Sequence, residues 1–124
     1  LGDVYKRQVL PGGLPGATNL RADQRVCDVV CEFAATKHVA AICAGPTVLA
    51  DLGITDGRNA TCYPGCENQM GNAHMAADAA VIRDGRLITG TSAGCAIPFA
   101  LALIEALKGE QEARRIASQI VIRA

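Results

Sequence analysis

Apolar residues in this chain recur either every three to four positions or in short unbroken runs, a pattern typical of helices alternating with buried strands. Leu20, Val26, Val29, Val30 and Phe33 recur at helical spacing and predict one amphipathic helix over residues 18–36. The pattern predicts strands at 9–10, 39–42, 60–63 and 119–122, a hairpin at 79–89, helices at 46–53, 96–107 and 110–118, and loops at 11–16 and 64–78. Strands alternating with helices favour an α/β sandwich.

One segment combines a strand, a turn and a helix start around a single cysteine, Cys43. The apolar run 39–42 leads into it, Gly45 allows close backbone approach, and Pro46 suits a first helical turn. Exposed N–H groups and the positive end of a helix dipole favour the thiolate over the thiol. A packed structural cysteine is the alternative, because free cysteine is among the most buried residue types. The coincidence of the three signals favours a reactive thiol.

Gly12 and Gly13 follow the predicted strand at 9–10, as Cys43 follows its own strand. Ligands in open α/β sheets bind at the carboxyl ends of strands, so both turns are expected to face one pocket. The N–H groups of Gly13 and Ala44 are therefore candidate oxyanion donors. The alternative for the two glycines is a plain tight turn. Gly94, in the small polar segment 91–94, is a further candidate for the pocket lining, with an ordinary helix start as its alternative.

The length and charge of the chain limit the classes of function that it can have. The chain has 124 residues, half of them apolar, which suits one domain with a modest core. Twelve basic residues balance twelve acidic ones. Binding to nucleic acid is therefore not expected, and neither is a polybasic surface that binds membranes. The longest apolar stretch, 95–107, is interrupted by Pro98 and Glu105 and is too short to span a bilayer. With no secretory signal, six cysteines indicate reduced thiols and a cytoplasmic location.

The first eight residues do not suit the strand that they precede. A buried parallel strand should be a continuous apolar run, whereas Lys6, Arg7 and Gln8 stand directly before Val9. We expect residues 1–8 to be non-native or read-through sequence, and residues 9–124 to be the C-terminal portion of a single domain.

The remaining cysteines and the two histidines allow a zinc site to be drawn. Its ligands would come from Cys27, Cys31, Cys62, Cys66, His38 and His74. Neither cysteine pair has the tighter Cys-x-x-Cys spacing, so buried or incidental thiols are the preferred interpretation, with no metal and no cofactor expected. His38 is expected at a helix end, and His74 in a loop from which it could reach the pocket.

Four segments together resemble a known family. They are Val9-Leu10-Pro11-Gly12-Gly13, Ala41-Ile42-Cys43-Ala44-Gly45-Pro46, Asp84-Gly85 and Phe99-Ala100-Leu101-Ala102-Leu103-Ile104-Glu105-Ala106-Leu107. In order and spacing they are similar to the ThiJ/PfpI superfamily, in the branch of the Parkinson-disease-associated protein deglycase and its bacterial relatives. The resemblance implies a flavodoxin-like three-layer sandwich with a mostly parallel sheet, here without its N-terminal strands, and a homodimer.

The resemblance also assigns roles to residues. Cys43 matches the oxidation-sensitive nucleophile, and Gly13 and Ala44 match the amides that cradle its adduct. Tyr63 stands where many relatives have a histidine, and Cys95 where many have a proline. The family's acidic partner of the cysteine lies in an N-terminal part that this chain lacks. Ala44 in place of a histidine disfavours an intracellular peptidase, and a missing His-x-Glu pair disfavours a glutamine amidotransferase.

By resemblance, the expected activity is that of a cofactor-independent glyoxalase or protein deglycase acting on small α-oxoaldehydes such as methylglyoxal and on glycated adducts. Because its acidic partner is missing, the chain by itself is expected to be nearly inactive. The alternative is a non-enzymatic oxidative-stress sensor or redox-regulated chaperone, in which Cys43 is oxidised and the same amides stabilise the oxidised sulfur.

Overall fold

A central sheet with helices on both sides organises the computed structural model, which describes residues 7–76 and 78–122. The strands are β1 (Arg7–Leu10), β2 (His38–Ile42), β3 (Asn59–Ala60), β4 (His74–Met75), β5 (Val81–Asp84) and β6 (Leu87–Gly90). The helices are α1 (Leu14–Ala22), α2 (Gln24–Thr36), α3 (Gly45–Asp51), α4 (Ala96–Lys108) and α5 (Glu110–Gln119). Short 3₁₀ turns cover Glu67–Gln69 and Ala93–Cys95.

The main sheet has the strand order β1-β2-β6-β5, in which the first three strands are parallel and β5 is antiparallel to β6. β3 and β4 form a separate parallel pair. The predicted hairpin is confirmed as β5–β6, and Gly85 supplies the positive φ that its tight turn requires. The parallel strands bring the chain segments after β1, β2 and β6 to one edge of the sheet, where Cys43 lies.

Alternate residues of β2 build the two sides of the core, as the two-residue period of a strand requires. Val39 and Ala41 pack with α1, α2 and α3 in one cluster, which also contains Leu10, Val30, Val48, Leu49 and Leu87. Ala40 packs with Ile88 and Phe99 of α4 on the opposite face. The α/β sandwich predicted from the sequence is therefore confirmed, with helices covering both faces of a mostly parallel sheet.

The predicted helix over residues 18–36 is wrong in its extent, because the chain forms two helices there. α1 begins at Leu14, inside the predicted loop 11–16, and the chain breaks at Asp23 before α2. The Asp23 side chain accepts a hydrogen bond from the Arg25 N–H at 2.9 Å and so caps α2. The apolar spacing continues across the break, which concealed it.

The predicted strand at 119–122 is also wrong. α5 continues to Gln119, and the Ile120 N–H bonds the Ile116 carbonyl at 3.0 Å instead of a neighbouring strand. A strand needs a hydrogen-bonding partner, whereas the start of this tail continues the hydrogen bonding of α5. Val121 there adopts a φ of 53°.

Several boundaries differ from the predictions. β3 covers Asn59–Ala60 only, and the predicted loop at 64–78 contains β4. His38 begins β2 and does not lie at a helix end. β1 already includes Arg7 and Gln8, whose origin as non-native sequence stays a prediction; residues 1–6 lie outside the described part. Among the described residues, no helix is both long and apolar enough to cross a membrane.

Candidate active site

Cys43 occupies a sharp elbow between β2 and α3, as the sequence predicts. Its φ is 65°, in the left-handed region that non-glycine residues avoid at a cost of about 1–3 kcal/mol. The Cys43 N–H donates to the Gly90 carbonyl at 3.0 Å, and the Cys43 carbonyl accepts from the Tyr63 N–H at 2.8 Å. These two bonds fix the elbow, and strained conformations of this kind cluster at functional sites.

Two glycines allow the elbow to sit against the loop that follows β1. A Cβ on Gly12 would lie 2.6 Å from the Cys43 Cβ and 3.1 Å from its Sγ. A Cβ on Gly45 would lie 2.6 Å from the Leu10 carbonyl oxygen. Since real Cβ atoms do not come so close, both positions need glycine, and the Cys43 sulfur rests directly over the Gly12 backbone.

The predicted oxyanion donors lie on either side of this contact. Gly13 follows Gly12 and caps α1 with a φ of 88°, and buried Ala44 follows Cys43 immediately before α3. The Ala44 carbonyl is held by the Thr47 hydroxyl, which donates to it at 2.6 Å. The structure thus gathers Gly12, Gly13 and Ala44 around Cys43; their role as oxyanion donors stays a prediction.

Tyr63 joins the site through its backbone, and its side chain is 48% exposed. Gly94 lies in the 3₁₀ turn that follows β6 at the same edge of the sheet, where the nearest atom to an added Cβ is Ser92 Oγ at 3.8 Å. Cys95 ends that turn and caps α4. The structure therefore brings Tyr63 to the elbow, and the place of Gly94 in the pocket lining stays a prediction.

A buried hydroxyl network that the sequence analysis missed ties these segments together. Thr61 Oγ1 and Thr91 Oγ1 lie 3.1 Å apart, and the Thr61 N–H donates to Thr89 Oγ1 at 2.9 Å. The network joins the segment before Tyr63 to β6 and to the segment before Gly94. Only the Thr89-x-Thr91 spacing, which puts both hydroxyls on one face of a strand, signalled it in the sequence.

Neither histidine is paired with Cys43. His38 begins β2, at the end of the strand opposite to Cys43. Burial lowers the pKa of His38 below 6.5, and Arg7, Arg83 and Arg86 lower it further. His74 is exposed in β4, with its N–H bonded to the Arg58 carbonyl at 2.8 Å. Across residues 7–76 and 78–122, the Cys43 side chain makes no hydrogen bond to a carboxylate.

The cysteines proposed as zinc ligands do not come together. Cys27 is a buried residue of α2, and its thiol donates to the Arg21 carbonyl at 3.3 Å. Cys31, on the same helix, is exposed. Cys62 and Cys66 share a small buried cluster with Ala50, Ala60 and Met70. In the part of the chain that the structure describes, no group of three or more His, Cys, Asp or Glu side chains could hold a metal ion.

Burial raises the pKa of the Cys62 thiol to about 11, with smaller contributions from Glu67, Cys66 and Cys43. Cys62 therefore stays protonated at neutral pH. Its proximity to Cys43 was not foreseen, because it follows from the long-range bond between Tyr63 and Cys43.

A cleft of about 490 Å³ opens beside the site, between α1, α3 and the segment 68–71. An ion pair between Arg21 and Asp51 crosses it. Cys43 and Gly12 are not among the residues that line it.

Comparison with known proteins gives a consistent result. The sequence profile of the DJ-1/PfpI family matches residues 3–106. The Parkinson disease protein 7 homolog of Danio rerio is 36% identical over 122 residues, covering 96% of this chain. A protein of Pyrococcus abyssi named as a deglycase is 34% identical over 94 residues, covering 74% of this chain and 56% of that protein. The chain spans 65% of the length of the Danio relative.

The structural comparison agrees. The crystal structure of Drosophila melanogaster DJ-1beta matches with a TM-score of 0.92 at 34% identity, covering 99% of this chain and 67% of that one. The fold and site therefore define a flavodoxin-like α/β protein with a cysteine at a strand–helix elbow. Within that class, the chain belongs to the DJ-1/PfpI family.

Proposed function

We propose that this protein is a cofactor-independent glyoxalase or protein deglycase that uses Cys43 as its nucleophile. Its substrates would be small α-oxoaldehydes such as methylglyoxal and the adducts that they form with proteins. The observation that carries the proposal is the strained elbow, which holds the Cys43 sulfur against Gly12 between two candidate oxyanion donors. The name of the Pyrococcus relative, a deglycase, supports the same chemistry.

In the proposed reaction, the Cys43 thiolate attacks the aldehyde carbon of methylglyoxal and forms a hemithioacetal. The Gly13 and Ala44 N–H groups would stabilise the oxyanion as it develops. A proton then moves from the former aldehyde carbon to the neighbouring carbonyl carbon, which gives a thioester. Water hydrolyses the thioester, releasing lactate and regenerating the thiol.

The proton transfers need an acid–base group beside the sulfur, and no carboxylate among the described residues bonds it. We assign this role to an acidic residue in an N-terminal segment of the full-length protein, as the family resemblance implies. The Tyr63 hydroxyl is a candidate second partner, because the Tyr63 N–H bond holds its backbone at the elbow. The same proposal includes a cytoplasmic homodimer.

Lactate formation from methylglyoxal by the full-length protein tests the activity. We expect Cys43→Ala to reduce turnover at least about 100-fold, since the nucleophile is lost. Cys31→Ala is the matched control, because Cys31 is an exposed thiol on α2 and is not part of the elbow, and turnover should be unchanged. Equal turnover in wild type and Cys43→Ala would contradict the mechanism.

A redox sensor is the second candidate, and the thiols beside the elbow favour it. Burial raises the pKa of the Cys62 thiol most, and the nearby Glu67, Cys66 and Cys43 raise it further. Mass spectrometry after mild peroxide treatment separates the candidates. Selective oxidation of Cys43 without any aldehyde turnover would favour the sensor.

A further inference from the structure

Cys62 lies near both Cys43 and Cys66, and the three thiols differ in exposure. Cys43 is partly exposed at its elbow, whereas Cys62 is 3% exposed and Cys66 is 6% exposed. Cys62 and Cys66 belong to one buried cluster with Met70. A peroxide from solvent therefore reaches Cys43 first.

The backbone brings Cys62 within reach of Cys43. The Tyr63 N–H donates to the Cys43 carbonyl at 2.8 Å, and Cys62 is the residue bonded to that nitrogen. Standard bond lengths then hold the Cα atoms of Cys43 and Cys62 to at most about 7.6 Å apart, and disulfides span about 4.4–6.8 Å between Cα atoms. This upper bound overlaps the range that a disulfide spans, so the backbone leaves a Cys43–Cys62 bond sterically accessible.

Cys66 is less well placed, although it shares the buried cluster. It lies across a tight turn in which its N–H bonds the Tyr63 carbonyl at 2.9 Å. No hydrogen bond ties its backbone to the Cys43 elbow among the described residues.

We propose that Cys62 is the resolving thiol of Cys43, so that oxidation by a hydroperoxide ends in an intramolecular Cys43–Cys62 disulfide. The Cys43 sulfur first attacks one peroxide oxygen; the O–O bond breaks, hydroxide leaves, and Cys43 becomes a sulfenic acid. The Cys62 sulfur then attacks the Cys43 sulfur. The S–O bond breaks, and the departing hydroxide takes the Cys62 proton and leaves as water.

The surroundings of Cys62 suit this order of events. Burial and neighbouring charge keep it a protonated thiol, so peroxide does not oxidise it in place of Cys43. Capture as a disulfide protects Cys43 from irreversible oxidation to the sulfinic acid and allows thiol reductants to restore it. This oxidation depends on the accessibility of Cys43 and not on aldehyde turnover.

Non-reducing peptide mapping of the peroxide-treated protein tests the proposal. After treatment with a several-fold molar excess of hydrogen peroxide, enough to carry an unprotected thiol to the sulfinic acid, free thiols are blocked and the protein is digested. Trypsin then releases peptide 38–58, which contains only Cys43, and peptide 59–83, which contains Cys62 and Cys66. We expect these two peptides to be linked. Fragmentation of the linked species from the wild-type protein should place the bond on Cys62.

Cys62→Ala and Cys66→Ala are a matched pair, because both remove a thiol from the same buried cluster. We expect the link to persist in Cys66→Ala and to disappear in Cys62→Ala, where Cys43 should instead gain two oxygens. A bond placed on Cys66, or sulfinic acid on Cys43 without any link in the wild type, would overturn the proposal. Lactate formation measured without peroxide tests the glyoxalase proposal by itself. Failure of the disulfide proposal can therefore be distinguished from failure of the glyoxalase proposal.

Discussion

At the residue scale, the site depends on two backbones that approach more closely than a side chain allows. The Cys43 sulfur packs on the Gly12 backbone, and a Cβ on Gly12 would fall 2.6 Å from the Cys43 Cβ. Gly12 does not have a positive φ, so the constraint there is space alone. The glycine is therefore required by Cys43 and not by its own backbone conformation.

Gly12→Ala is expected to destabilise the protein by about 1–3 kcal/mol, because the new methyl group overpacks the elbow. It should also slow alkylation of Cys43 by iodoacetamide, since the methyl group lies 3.1 Å from the sulfur. Gly16→Ala is the matched control: it lies in α1 with no atom within 4 Å of an added Cβ. The control should stabilise the protein by about 0.5–1 kcal/mol. Equal alkylation rates in the two variants would contradict the packing argument.

Arg7 in β1 lies where its guanidinium group is only partly hydrogen-bonded. Its Nη1 donates to the Leu103 carbonyl at 3.2 Å, but its buried Nε and Nη2 find no hydrogen-bond partner among residues 7–76 and 78–122. Burial, and then Arg83, lower its pKa. A buried donor without a partner costs about 1–3 kcal/mol. The origin of residues 1–8 as non-native or read-through sequence stays a prediction.

Arg7→Leu should therefore raise the melting temperature, because an apolar side chain removes the unpartnered donors. Arg114→Leu, at an exposed position of α5, serves as the control and should change the melting temperature little. Thermal unfolding followed by circular dichroism measures both. A lower melting temperature for Arg7→Leu would show that the Arg7 guanidinium stabilises the folded protein, contrary to this prediction.

At the scale of elements, the start of α2 depends on one side chain. Asp23 accepts from the Arg25 N–H and also pairs with the Arg25 guanidinium. These bonds to Arg25 lower the pKa of Asp23 from 3.8 to about 2. A carboxyl group with a depressed pKa in the folded state adds stability above its unfolded pKa, and that stability is lost as the pH falls through the folded value.

Asp23→Ala should lower the melting temperature by several degrees at neutral pH, since the cap of α2 is lost. Because the wild-type cap persists until the carboxyl is protonated, the difference between the two proteins should stay constant down to about pH 4 and shrink between pH 3.8 and about 2. Glu32→Ala, on the exposed surface of the same helix, is the control and should show little change. A difference that disappears already at pH 5 would exclude the capping role.

The same elements show what sequence patterns can and cannot predict. The elbow at Cys43 was predicted because strand, turn and helix start are local signals in consecutive residues. The break at Asp23 was missed because the apolar spacing continues across it, although aspartate is a preferred cap residue. The apolar residues of the tail 119–122 favour a strand by themselves, but a strand also needs a partner, which the sequence pattern does not supply. The neighbourhood of Cys43 and Cys62 depends on a bond between residues twenty positions apart, which no local pattern encodes.

At the scale of the whole molecule, apolar surface remains exposed on the α4 side. α4 is apolar along nearly its whole length, yet only Phe99 is fully buried. Ile97 is 51% exposed and Leu107 is 45% exposed. A helix that is hydrophobic all round is normally buried on all sides, so this surface favours association.

Replacing Ile97 and Leu107 together by lysine should reduce self-association and the binding of a hydrophobic dye, because both side chains contribute exposed apolar area. The melting temperature should fall only slightly, since neither residue is in the core. Sedimentation velocity over a range of concentrations, with Lys108→Gln as the control, measures the effect. Unchanged association in the double variant would assign it to another surface, such as the groove along the β1 edge near Val9 and Val29.

The bond between the Tyr63 N–H and the Cys43 carbonyl gives the molecule an optical signal of its own. The chain contains no tryptophan and only two tyrosines, and the other, Tyr5, lies outside the described residues. In a Tyr5→Phe background, fluorescence excited in the tyrosine absorption band comes from one ring, that of Tyr63, whose backbone N–H is bonded to the Cys43 carbonyl. Modification of Cys43 that displaces the elbow is then expected to change this fluorescence, which can be followed without a label.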